Sequence, residues 1–190
     1  MLDLLRTSDA GMIKLNGKSS WDANSRHLLS YLPEKFQVNK SVSGEQYCRF
    51  VFGVHQQKMN KQSLHDLCAQ LDFNVDDLKK NVNHYSKGMM QKLGLMSNFM
   101  LNKPLMILDE PLSGLDPKAR FCLKQLLQKK KEEGLTLFYS THMLADAEEI
   151  CDQFAILDGG SLKFVGTPQA CKALYKSDTL ESAYMQCLSA

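Results

Sequence analysis

Apolar residues in this chain follow two rhythms. Short unbroken runs at residues 104–108 and 135–140 are bounded by turn formers, which is how strands buried in a parallel sheet read. A third short run at 12–15 ends in Asn16-Gly17, a hairpin-turn pair, and residues 18–24 after it are polar and turn-like. Elsewhere the spacing is helical. Tyr47, Phe50, Val51 and Val54, then Leu64, Leu67, Cys68 and Leu71, make residues 43–81 read as helix. Leu93, Met96, Met100 and Leu101 recur after Ser86, so the pattern predicts a further helix, capped by Ser86 and burying one face. Residues 153–157 and 161–165 flank Asp158-Gly159-Gly160 and predict a hairpin.

The chemistry gathers where these elements end. The run at 104–108 stops in two adjacent carboxylates, Asp109 and Glu110. Ligands of open α/β sheets bind just beyond the carboxyl ends of the strands, so both acids belong at a site mouth. Neighbouring strand residues point opposite ways. One carboxylate can then hold a hydrated magnesium while the other orients and polarises a water, as phosphoryl transfer to water requires. A helix start capped by Ser86 carries free amides and a partial positive charge, which suits a phosphate. Gly88 lets that backbone approach an anion and Lys87 adds charge.

These segments resemble the motifs of one family. Leu108-Asp109-Glu110-Pro111-Leu112-Ser113-Gly114-Leu115-Asp116 resembles the Walker B motif and D-loop of an ATP-binding-cassette (ABC) ATPase. His84-Tyr85-Ser86-Lys87-Gly88-Met89-Met90-Gln91-Lys92-Leu93 resembles the signature motif in the form found beside ABC-2-type exporters. Ser86 and Gly88 match LSGGQ there, whereas Lys87 and Met89 depart from it. Thr141-His142-Met143 stands where the family has its switch histidine, and a neutral imidazole there donates a hydrogen bond to a γ-phosphate. Tyr31-Leu32-Pro33-Glu34 resembles the Q-loop, with Glu34 in place of glutamine. The tail, with Gly166-Thr167-Pro168 and residues 180–184, is also similar to the end of such a domain.

The resemblance implies an α/β fold: a P-loop NTPase core, its mostly parallel sheet flanked by helices, with an α-helical signature subdomain. It implies one partial domain over residues 1–190. Residues 1–42 would hold the remnant of the amino-terminal core and the Q-loop, 43–101 the helical subdomain, and 102–190 the remaining core and tail. It implies ATP and Mg2+ as cofactors, with Asp109 on the magnesium through water and Glu34 near the metal or its water. Glu110 would polarise the attacking water and His142 would contact the γ-phosphate. Ser86, Lys87, Gly88 and Asp116 would act at the nucleotide interface with a second ABC ATPase subunit, in a homo- or heterodimer. A multispan permease subunit would hold the protein to the inner face of the cell membrane, from the cytoplasm. Membrane export driven by ATP is the implied function. A degenerate remnant or non-hydrolytic half-site partner, and a soluble ABC-type ATPase outside transport, are the other readings.

One expected motif does not occur among the 190 residues. GxxxxGK[ST], the loop that cradles phosphates, has no match. Gly17-Lys18-Ser19 imitates its end, but the first glycine would have to be residue 12, which is Met12, and Gly11 is one place too early. The resemblance therefore starts in mid-domain and is incomplete at the amino terminus, with residues 1–5 as the last turns of the phosphate-loop helix. Truncation, a misplaced start and a split gene all produce such a chain. Without the loop, the chain alone is expected to be inactive. The formal net charge of +2 leaves no nucleic-acid footprint. Six dispersed cysteines without a CxxC pair argue against disulfides and zinc. No run approaches the ~20 apolar residues of a membrane span.

Overall fold

The computed structural model describes residues 10–20 and 22–189, which divide after Ser140 into two compact units. The expected remnant helix at 1–5 lies outside the described residues.

Among the described residues, the first elements of the first unit are a small antiparallel pair, β1 (Lys14–Leu15) and β2 (Lys18–Ser19). Asn16 and Gly17 join them with φ of +48° and +77°, the mirror-image turn that matches strand twist. The polar stretch at 18–24, expected to be turn alone, instead supplies β2 and starts the four-residue α1 (Ala23–Arg26). The Ser25 hydroxyl ties the two together, donating to the carbonyls of Ser19 and Asp22.

Then comes β3 (Leu29–Leu32), a helical layer, and the centre of the unit. In the layer, α2 (Gly44–Val54) opens on a reciprocal capping box between Ser43 and Gln46, and α3 (Lys61–Gln70) is capped by Asn60. A 3-10 turn at Val75–Lys79 leads on to α4 (Lys87–Met100). The cap at Ser86 is present: its side chain accepts from the Met89 amide at 3.2 Å. The expectation of one buried face on α4 is corrected, because every residue from Gln91 to Phe99 is buried. Its polar members are satisfied within the unit. Lys92 Nζ donates to the Asp72 carbonyl at 2.8 Å, and Ser97 and Asn98 both donate to the Gly94 carbonyl.

The apolar run at 104–108 becomes β4 (Leu105–Asp109), the central strand of a three-stranded parallel sheet ordered β3-β4-β5. Between β4 and β5 (Thr136–Ser140) runs α5 (Pro117–Glu132). Asp116 caps α5, Pro117 supplies its pre-set first turn, and Lys129, Lys130 and Lys131 sit at the negative end of its dipole. The register aligns Leu32 with Leu108 and Asp109 with Ser140. All three strands therefore end together, along one edge of the sheet.

The second unit holds α6 (Leu144–Ile150), the hairpin β6 (Phe154–Asp158) and β7 (Ser161–Gly166), α7 (Pro168–Leu174) and α8 (Leu180–Ser189). The predicted hairpin turns through Gly159 and Gly160, both at positive φ. Its core is Ala147, Ile156, Cys171, Leu180, Ala183 and Cys187.

Candidate functional site

At the carboxyl end of β4, Asp109 is the last strand residue and half-buried. The Ser140 hydroxyl, from the neighbouring strand, donates to Asp109 Oδ1 at 2.6 Å. That leaves the carboxylate further lone pairs for another ligand. Glu110 does not continue the strand. Its φ is +49°, so simple strand alternation does not set its direction. Its amide donates to both the carbonyl and the hydroxyl oxygen of Ser140, each at 3.2 Å. The chain then turns sharply: the Ser113 amide donates back to the Glu110 carbonyl at 3.0 Å, and Gly114 stands at φ +76°.

The amino end of α4 rests on this turn. Lys87 Nζ lies 3.3 Å from Ser113 Oγ. A Cβ at Gly88 would meet the Gly114 carbonyl at 3.1 Å, a tight approach, and Gly114 at φ +76° adopts a conformation that favours glycine. One turn into α4, Gln91 Nε2 donates to the Pro111 carbonyl at 3.1 Å from a buried position. Tyr85 Oη anchors the residue before the cap by donating to the Asp77 carbonyl at 2.6 Å.

The structure therefore joins Asp109 and Glu110 to the Ser86–Lys87–Gly88 end through one short loop. Glu34 lies exposed in the turn two residues after β3, at the same edge of the sheet. Asp116 stands further along the loop and accepts the Ala119 amide at 2.9 Å. That bond holds its carboxyl below the ordinary carboxylate value. His142 lies exposed at the start of the second unit, two residues along the chain from Ser140. Sequence reasoning missed Gln91 and Ser140. No pattern along the chain marks either: α4 also carries Lys92, Ser97 and Asn98, and the pairing of Ser140 with Asp109 is set by the sheet register.

Among the described residues, no three His, Cys, Asp or Glu side chains converge as a metal cage. Magnesium seldom needs one, since it is held by one or two carboxylates, water and phosphate oxygens. The single strand-end carboxylate of Asp109 suits that mode. A cavity of about 250 Å3 lies at the other end of the sheet. It is lined by Phe99, Pro104, Met106, Lys130 and Glu133 and has no part in this arrangement.

Comparison with known proteins points to one family. The family profile described as ABC transporter matches residues 1–113. The ABC-type transporter ATP-binding protein EcsA of Bacillus subtilis is 32% identical over 184 residues, covering 93% of this chain and 73% of its own length. An uncharacterized ABC transporter ATP-binding protein of Synechocystis is 33% identical, covering 88% of this chain and 48% of its own length, so the chain spans about half of that relative. A solved ATP-binding subunit of an ABC transporter superposes with a TM-score of 0.84 at 29% identity, covering 95% of this chain and 77% of that one. The fold alone is shared with a dimeric ATP-binding cassette in a post-hydrolysis state bound to ADP and Pi, at a TM-score of 0.76 and 16% identity. With its strand-end carboxylates, its capped α4 and the P-loop NTPase fold of an ABC ATPase, this chain belongs to the ABC transporter family.

Proposed function

We propose that the chain acts as the ATP-binding subunit of an ABC transporter of the ABC-2 export type. The observation that carries this reading is the loop that ties Asp109 and Glu110 to the amino end of α4. Asp109, already oriented by Ser140, is the residue to hold Mg2+ through water. The metal would supply charge neutralisation at the phosphates. Glu110 orients and polarises the attacking water, and His142 donates to the γ-phosphate. Glu34, past the end of β3, reaches the metal or its water. Ser86, Lys87 and Gly88 present the amides, dipole and charge of a helix start to the nucleotide held by a second cassette subunit, homologous or identical, paired head to tail. Asp116 sits at that interface.

Coupling runs through residues 43–101 to a multispan permease, which places the subunit peripherally on the cytoplasmic face. The exposed Phe50 and Val54, one turn apart on α2, are the apolar contacts this layer offers such a partner. No helix among the described residues is long and apolar enough to cross a membrane itself.

Because positioning and charge carry most of phosphoryl-transfer catalysis, a chain without GxxxxGK[ST] is inactive alone. The test has two arms. Purified chain with Mg-ATP should show no turnover above its own E110Q variant. A form extended at its amino end by a strand, phosphate loop and helix from a relative should hydrolyse ATP, and there E110Q should keep nucleotide binding while losing turnover. Robust magnesium-dependent turnover by the unextended chain, abolished by E110Q, would overturn the inactivity. Equal loss of binding and turnover in the extended E110Q form would overturn the role of Glu110.

A further inference from the structure

Left-handed backbone strains any residue with a Cβ and persists only where the surroundings fix it. Glu110 is such a residue, at φ +49°. Two polar side chains without an assigned role restrain it from opposite sides. On the amino side stands Ser140, whose carbonyl and hydroxyl oxygens both accept the Glu110 amide at 3.2 Å. The same hydroxyl donates to Asp109 at 2.6 Å, so one serine fixes the amide of one acid and the side chain of the other. On the carboxyl side stands Gln91, whose Nε2 donates to the Pro111 carbonyl at 3.1 Å. Gln91 is 5% exposed, and a primary amide that deep is costly unless bonded. Pro111 has its own φ fixed by its ring, so a restraint on its carbonyl passes back to Glu110 with little slack.

We infer that Gln91 and Ser140 are positioning residues, which clamp Glu110 in its left-handed conformation and set the aim of its carboxylate jointly from α4 and β5. The clamp deepens the proposed function and rests on Glu110 being the water-polarising acid. Gln91 lies one turn from Lys87 and Gly88, which touch Ser113 and Gly114 of the same loop. Any shift of the amino end of α4 therefore reaches Glu110 through two contacts on one side, while Ser140 keeps its place in the sheet.

The test reads the geometry directly on the 190-residue chain, by amide hydrogen exchange measured with NMR. Q91M keeps length and volume but cannot donate. S140A removes the hydroxyl and S140T restores it. The Glu110 amide, and the Ser113 amide that donates to its carbonyl, should exchange about tenfold faster in Q91M and S140A. Leu95 and Met96 amides inside α4 should be unchanged, and S140T should return to the wild-type rate. A side chain that only fills space would speed the whole of α4 or nothing. Unchanged protection at Glu110 and Ser113 in Q91M, or S140T as fast as S140A, overturns the clamp. Should Q91M fail to fold, Q91E retains the length and, ionised, cannot donate. In the loop-extended form, Q91M should lower kcat about tenfold with KM unchanged; an unchanged kcat there overturns the aiming role. E110Q is the control: if it leaves turnover intact, the catalytic reading of Glu110 fails, while the exchange rates still decide the clamp.

Discussion

Replacing Gly94 by alanine tests a close approach between α4 and β3. Two effects compete. Alanine is favoured over glycine in a helix interior by ~1 kcal/mol, and Gly94 lies in mid-helix. Against this, a Cβ at Gly94 would stand 2.6 Å from Leu32 Cδ1 and 2.9 Å from Phe36 Cδ1. Real Cβ atoms do not come so near, and Leu32 is 0% exposed, so it has nowhere to retreat. Overpacking of this kind costs ~1–3 kcal/mol. The packing term wins, and the expected net loss is about 1 kcal/mol, a fall of about 0.5 M in the urea midpoint at a typical slope.

Urea unfolding followed by circular dichroism measures it, and a double-mutant cycle with Leu32→Ala locates the cause. Leu32→Ala alone should cost ~2–5 kcal/mol through the cavity it leaves. In the double variant the alanine methyl at 94 enters that cavity, so the combined loss should fall short of the sum by about 1 kcal/mol. A rise of the midpoint in Gly94→Ala, or losses that add within ~0.5 kcal/mol, would refute the close approach. The contact bears on function because β3 leads into Glu34 and α4 begins at Ser86, so it sets how far apart those two ends lie.

The cap at Asp116 should be pH-dependent. The Ala119 amide holds this carboxyl below its unfolded value, so its stabilisation is complete above that value and is lost as pH falls through the lower folded one. Thermal melts should show Asp116→Ala less stable than wild type at neutral pH, with the deficit shrinking as the solution is made acidic; a deficit that does not change with pH would remove the ionised cap from the account. Burial pushes the Cys48 thiol up to about 12 and the Cys68 thiol up to about 11 from 9.0. Both should resist iodoacetamide in the native protein at about pH 8 and react once unfolded; rapid native labelling seen by mass spectrometry would show the helical layer open.

What the sequence disclosed was what one dimension can carry. An apolar run ending in two acids marks a strand and its end, and Ser86 before helix formers marks a cap; both stand where the pattern put them. The short β2 and α1 left no trace because a polar stretch has no periodicity, and what holds them is a serine hydroxyl bridging two carbonyls. The burial of α4 on all sides was hidden for a different reason. Gln91, Lys92, Ser97 and Asn98 are polar, yet each donates to a carbonyl inside the unit. Periodicity reports polarity, and polarity implies water only where no internal partner exists. Gln91 and Ser140 escaped notice because their meaning lies in contacts 20 and 30 residues away along the chain.

The left-handed glutamate joins these threads. A glycine would adopt φ +49° without strain, whereas a side chain there costs ~1–3 kcal/mol. The bonds that hold Glu110 and the Pro111 beside it include those from the Glu110 amide to Ser140, from Ser113 to the Glu110 carbonyl, and from Gln91 to Pro111. At ~0.5–1.5 kcal/mol each, they offset that cost but leave little over. The turn is thus held without being a reservoir of stability, and its conformation answers to whatever moves its partners. Two of those restraints differ in kind. Ser140 belongs to the sheet, whose register with Asp109 is fixed. Gln91 belongs to α4, one turn from its capped start. On the proposed reading, that start meets a nucleotide held by the partner subunit, while Glu110 serves the nucleotide of its own. A strained acid, fixed by a rigid strand on one side and by that helix on the other, is suited to feel at one half-site what is bound at the other.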